Sequence, residues 1–152
     1  MKMKAAVMSE VGKPLTIKEV DLAEPKVNEV LVKIKATGVC HSDLNALEDE
    51  TTPTPTILGH EGAGIVEAVG PNVTSVKPGD KVALSWVPYC GTCEFCVPGA
   101  VHLCESAFGP MFNGTLLDET SRLSEDGQTI YHSSLLSTFA EFAVVPEMSC
   151  VK

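Results

Sequence analysis

Four cysteines within residues 90–104 constrain this chain more than any other feature. Cys90-Gly91-Thr92-Cys93-Glu94-Phe95-Cys96 is closed by Cys104, a C-x₂-C-x₂-C-x₇-C spacing in a run broken by Pro88, Gly91, Pro98 and Gly99. Two residues between cysteines is the separation at which a tight turn aims both sulfurs at one point. Zinc takes four thiolates in a closed tetrahedron, and such closed sites serve structure rather than catalysis. The spacing therefore predicts a loop-rich lobe, about residues 87–112, folded around one structural zinc. A disulfide pair fits less well, because disulfides persist in oxidising compartments and nothing here points to export. A nucleic-acid-gripping zinc ribbon sets its knuckles about fifteen to twenty residues apart, much wider than this.

The rest of the composition suits one domain. A chain of 152 residues, 44% hydrophobic and 20% charged, is expected to fold as a globular unit spanning residues 1–152. Its formal charge of −9 opposes phosphate backbones and anionic membranes, so neither nucleic acid nor a membrane is an expected partner. The first apolar run stops at Met8, too short for a signal-peptide core, and no stretch approaches a membrane span. Six cysteines without an export signal suggest metal and thiol chemistry in a reducing cytoplasm.

Hydrophobic periodicity reads as mainly β. Lys4 to Met8 and Leu15 to Val20, separated by Gly12 and Pro14, predict a hairpin. Val30, Val32, Ile34 and Ala36 alternate with Lys33 and Lys35, as in a half-buried strand. His41 to Leu47 fits a short helix, and Glu48 to Thr56, rich in threonine and proline, an exposed loop. Gly62 to Val69 and Lys81 to Trp86 read as strands on either side of the Lys77-Pro78-Gly79-Asp80 turn. Asn113-Gly114 and Asp126-Gly127 are turn signals flanking a polar stretch, and Thr138 to Val145 is a final strand. No segment predicts a helix longer than about two turns.

A second cluster stands at strand ends: Cys40-His41-Ser42-Asp43 and Gly59-His60-Glu61. A thiolate and a neutral imidazole are zinc ligands, and an open site leaves a position for water or substrate. Taken singly, Cys40 reads equally well as a small buried hydrophobe, Asp43 as a helix cap, His60 as a turn residue and Glu61 as a solvated charge.

Together these features resemble the zinc-dependent medium-chain alcohol dehydrogenases. Gly59-His60-Glu61-Gly62-Ala63-Gly64, followed by Gly70, is similar to that family's G-H-E-x₂-G-x₅-G motif. Cys40-His41-Ser42-Asp43, Lys77-Pro78-Gly79-Asp80-Lys81-Val82, the four-cysteine run and Thr138-Phe139-Ala140-Glu141-Phe142 fall in the family's order. The resemblance implies a GroES-like β-barrel, the catalytic domain that normally precedes a Rossmann domain. It implies Cys40 and His60 as ligands of a catalytic zinc, Glu61 as an acid that approaches the metal, and Asp43 as the carboxylate orienting His60. It further implies Ser42 as the hydroxyl taking the substrate proton and His41 as a cation against the cofactor pyrophosphate. Cys90, Cys93, Cys96 and Cys104 match the structural-zinc ligands. The implied reaction oxidises a primary or secondary alcohol to an aldehyde or ketone by hydride transfer to NAD or NADP, in enzymes that are homo-oligomeric at full length.

Two departures bear on that expectation. Many relatives carry a histidine three residues after the relay hydroxyl, where this chain has Asn45. The family's third catalytic-zinc ligand lies beyond a Val-Pro-containing strand like Val144-Val145-Pro146, and Cys150 falls too early for it. No G-x-G-x-x-G run occurs either. The expectation is thus an incomplete catalytic site, no Rossmann domain within this chain and no turnover by the chain alone. The alternative is a zinc-stabilised barrel that acts as a binding or assembly module without catalysis.

Overall fold

The computed structural model describes residues 1–152. The first two strands, β1 (Lys2–Met8) and β2 (Thr16–Leu22), pair antiparallel from Lys2↔Asp21 to Val7↔Thr16, the hairpin the sequence predicts. Then follow β3 (Glu29–Thr37), α1 (His41–Glu48), β4 (Thr56–Ile57), β5 (Gly62–Val69) and β6 (Lys81–Leu84). The second half contains α2 (Glu105–Asn113), β7 (Leu123–Glu125), β8 (Gln128–His132), β9 (Phe142–Pro146) and β10 (Cys150–Val151). Strands β1-β2-β7-β8-β4 close into a barrel, and β10-β6-β5-β3-β9 form a second, five-stranded sheet. The mainly β class expected from periodicity holds.

Two apolar cores follow from this arrangement. Met3, Ala5 and Val7 project from alternate positions of β1 into one core, with Val20, Leu22, Ile57, Leu123 and Ile130. Val30, Val32, Val66, Val82 and Val145 build the other. Strand β3 is shared between them: Leu31 enters the first core and Val30 and Val32 the second. This corrects the half-buried reading of β3, whose first residues are buried on both faces, whereas Ala36 is exposed. A strand lying between two cores reads apolar on both faces.

Other expectations also change. The Glu48–Thr56 stretch is exposed only to Thr51; Thr52 to Pro55 are half-buried and Thr56 is buried in β4, which pairs with β1 and, in parallel, with β8. The Asp126-Gly127 signal belongs to a β7–β8 hairpin, both turn residues having positive φ (49° and 81°) as a two-residue type I′ turn requires. The lobe contains a helix of nine residues, α2, longer than the two turns expected. Gly109-Pro110 in its middle disguises it in the sequence. The helix ends at Gly114 in the left-handed region (φ 69°), whose N–H donates to the Pro110 carbonyl. The last strand begins at Phe142, with Ala140 contributing only an isolated bridge to Ala5, and β6 stops at Leu84 before Trp86.

A buried ionic network ties the two sheets together and was not legible in the sequence. Arg122 is 2% exposed and Glu29 6%. The Arg122 Nε donates to Glu29 Oε2 at 2.9 Å while its Nη2 reaches Glu29 Oε1 and Asp118 Oδ2. The Arg122 amide donates to Nε2 of buried His132 at 3.1 Å. Burial lowers the His132 pKa to about 3, with the nearby guanidinium adding to the effect, so this ring is a neutral acceptor.

Candidate active site and metal centres

The pairing of β3 with β5 brings the second cluster together. Thr37, at the end of β3, lies opposite Gly62, at the start of β5, and the Gly38 N–H donates to the Glu61 carbonyl at 2.9 Å. Residues just after β3 therefore meet residues just before β5. Gly38 has no side chain because the Glu61 carboxylate fills the place its Cβ would take. The result is that the Cys40 thiol, the His60 ring and the Glu61 carboxylate offer ligand atoms all within 4.8 Å of one another.

Asp43 fixes this geometry from beneath and is 4% exposed. Its Oδ2 accepts the Cys40 N–H at 3.0 Å, which satisfies a free donor at the start of α1. Its Oδ1 accepts the Gly59 N–H at 3.1 Å and faces His60 Nδ1 at 3.3 Å. One carboxylate thus ties the helix start to the loop bearing His60. A carboxylate on Nδ1 holds the proton there and leaves the Nε2 lone pair free for a metal. The Ser42 hydroxyl stands 3.3 Å from that same Nε2.

These residues wall a pocket of about 500 Å³ that also includes Trp86 and, from the opposite side, Ser133 and Ser134. The Trp86 and His60 rings meet edge to face with centroids 6.5 Å apart. The two serines went unnoticed in the sequence, because Ser133-Ser134 looks like any polar loop. Their signal is conformational: Ser134, Leu135 and Ser137 all have positive φ, between 52° and 60°. His41, the first residue of α1, is exposed and lines neither this pocket nor the one behind the helix. Asn45 lines that neighbouring pocket, with Ser42.

The four lobe cysteines converge as their spacing predicts. Cys90, Cys93, Cys96 and Cys104 have sulfurs mutually within 4.8 Å, and none is in a disulfide. A zinc–sulfur bond of about 2.3 Å sets tetrahedral edges of about 3.8 Å; Cys90 and Cys96 Sγ are 4.0 Å apart. The surrounding donors suit thiolates. The Thr92 N–H and hydroxyl, the Ser106 hydroxyl and the Cys93 N–H lower the Cys90 pKa to about 5. The Glu105 N–H, at the start of α2, and that of Cys96 lower that of Cys93, whereas desolvation pushes Cys96 up to about 11. Four convergent sulfurs ringed by N–H donors fit zinc. The sixth cysteine, Cys150, stands apart in β10 with its thiol pushed up to about 12 by burial.

Comparison with known proteins agrees with this arrangement. The family model described as the alcohol dehydrogenase GroES-like domain matches residues 26–152. An S-(hydroxymethyl)glutathione dehydrogenase of Escherichia coli O6:H1 is 48% identical over 154 residues, covering 100% of this chain and 42% of the relative. Among solved structures, an alcohol dehydrogenase zinc-binding domain protein from Burkholderia ambifaria superposes with a TM-score of 0.92 at 37% identity, over 100% of this chain and 42% of that one. Benzyl alcohol dehydrogenase from Acinetobacter calcoaceticus gives 0.89 at 37% identity, with 100% and 41% covered. The chain thus spans about two fifths of the length of the curated relatives it matches.

Proposed function

Since this chain belongs to the GroES-like domain family of the alcohol dehydrogenases, we propose that it is the catalytic domain of a zinc-dependent enzyme. Its reaction is oxidation of an alcohol to an aldehyde or ketone, with NAD or NADP as hydride acceptor. The observation that carries this reading is the Cys40, His60 and Glu61 ligand group with Asp43 buried against it. A barrel that used zinc only for stability would need the lobe and nothing at this second place.

Cys40 and His60 would hold a catalytic zinc, with Glu61 within reach of the same point. When bound, zinc supplies Lewis acidity toward an alcohol hydroxyl and the nicotinamide supplies the hydride acceptor. The protein's own part is positional. Asp43 keeps the His60 proton on Nδ1 and fixes the ring plane. The Ser42 hydroxyl, beside His60 Nε2 and at the border of two pockets, accepts the proton leaving the alcohol. Asn45 has no titrating group, so as Ser42 takes up the alcohol's proton it gives its own to water in the polar pocket behind α1 rather than to an imidazole at position 45. Trp86 lines the same pocket and meets the His60 ring edge to face, which gives the site an apolar wall. His41, exposed at the start of α1, offers a ring N–H donor to a cofactor phosphate.

Metal stoichiometry tests the reading. Purified in zinc, the chain should carry about two metal ions, and Cys40→Ser about one. A parent value of about one, unchanged by Cys40→Ser, would reduce this protein to a zinc-stabilised barrel.

A further inference from the structure

We propose that the alcohol accepted here is uncharged and carries a bulky aromatic body, which lies in a trough between Trp86 and α2. This rests on the catalytic reading above and names the substrate class for the same site. The trough measures about 520 Å³ and is walled by Trp86, Phe95, Leu103, Phe108, Met111 and Phe112. That volume lies within the roughly 300–1,000 Å³ of small-molecule sites. Trp86 also belongs to the pocket of Cys40 and His60. Trp86 is thus the wall shared by the two cavities, with the alcohol's hydroxyl on its Cys40–His60 side and the aromatic body on its trough side.

Two of the aromatic walls face outward. Phe108 and Phe112 lie ring to ring with centroids 4.8 Å apart and planes tilted by 54°. Both stay open to solvent, 67% and 64% exposed. Exposed large apolar groups that converge on one cavity mark a binding surface, and the outward faces and edges of this ring pair can take a further aromatic ring in stacked or edge-to-face contact.

Charge on the walls this chain supplies disfavours the main competing chemistry. No lysine or arginine lines the trough, the Cys40–His60 pocket or the pocket behind α1, whereas Asp43, Glu61 and Asp49 do line them. The remaining base on these walls besides His60 and neutral His132 is exposed His102. A glutathione adduct, with its paired carboxylates, would be desolvated against carboxylates with no guanidinium or ammonium to meet it.

Trp86 is the sole tryptophan, so its emission reports on the trough independently of turnover. The zinc-loaded chain is titrated separately with benzyl alcohol and with S-methylglutathione. Benzyl alcohol should change Trp86 emission saturably, and S-methylglutathione should not at the same concentrations. Phe112→Ala and Phe108→Ala, which remove solvent-exposed rings, should each weaken benzyl alcohol binding about fivefold. Equal or tighter binding of S-methylglutathione would overturn the proposal, as would parent-like binding of benzyl alcohol by both variants. Metal content measured on the same samples judges the catalytic reading separately: an empty Cys40–His60 pocket would defeat that reading, while Trp86 still reports whether the trough selects the ring.

Discussion

Asp43 organises the candidate site, because one buried carboxylate serves the Cys40 amide, the Gly59 amide and the His60 ring. Asp43→Asn keeps the size and an acceptor oxygen but loses the charge that holds the proton on Nδ1. Metal affinity at the Cys40–His60 pocket should fall about 10–100-fold, with the lobe unaffected, as read by competition with a chromophoric chelator. His132 makes a different prediction. Its folded pKa of about 3 lies below the ordinary 6.5, so the unfolded chain binds the extra proton first as pH drops. Stability conferred by the neutral ring is complete above the unfolded value and is lost as pH falls from 6.5 toward 3. The difference between pH 7 and pH 5 from this one group should be about 2 kcal/mol. His132→Gln, which keeps an acceptor for the Arg122 amide, should flatten that slope in urea titrations at the two pH values. Neither environment was visible in the sequence: a buried histidine and an exposed one are the same letter, and the Asp43–His60 contact joins positions 17 residues apart through strand pairing.

At the scale of elements, the legible parts were those whose pattern is local. The β1–β2 hairpin, the helix from His41 and the strand from Gly62 follow from periodicity and turn residues alone. Strands β7 and β8 are too short, at three and five residues, to show a period, and only the Asp126-Gly127 turn betrays them. The threonine-proline run reads as solvated because its composition is that of a loop, yet β4 is buried by partners from opposite ends of the chain. Helix α2 escaped notice because Pro110 breaks the helical pattern; the cysteine cluster at its start and Gly114 at its end hold it. This dependence is testable. Cys93→Ser should disorder residues from Val87 to Phe112, α2 included, while both apolar cores persist, since the fully buried side chains forming them lie outside the lobe. Hydrogen exchange should show rapid loss of protection confined to those residues and one metal fewer per chain.

At the scale of the whole molecule, the chain sets two groups of metal-ligating side chains in different places, one in the lobe and one where β3 meets β5. The lobe offers four sulfurs, two of them buried, with N–H groups directed at them. The pocket offers one sulfur, one imidazole nitrogen and one carboxylate on an exposed residue, beside a cavity open to solvent. A thiolate binds zinc more strongly than a carboxylate oxygen, and an open site exchanges its metal through the vacant position. Two zinc ions should therefore leave in two steps. Dialysis against rising concentrations of a mild chelator is expected to empty the Cys40–His60 pocket first and the lobe later, and Asp43→Asn should advance only the first step. The first step should leave circular dichroism unchanged, because the pocket lies where β3 and β5 are already paired through Thr37↔Gly62. The second should remove the signal of α2 and leave the β signal in place. Cobalt substitution reads the two steps separately through the differing absorption of four-sulfur and mixed ligand sets. Loss of both metals in a single transition would mean that lobe and pocket are coupled, with Trp86, which lines both the pocket and the trough against the lobe, as the residue they share.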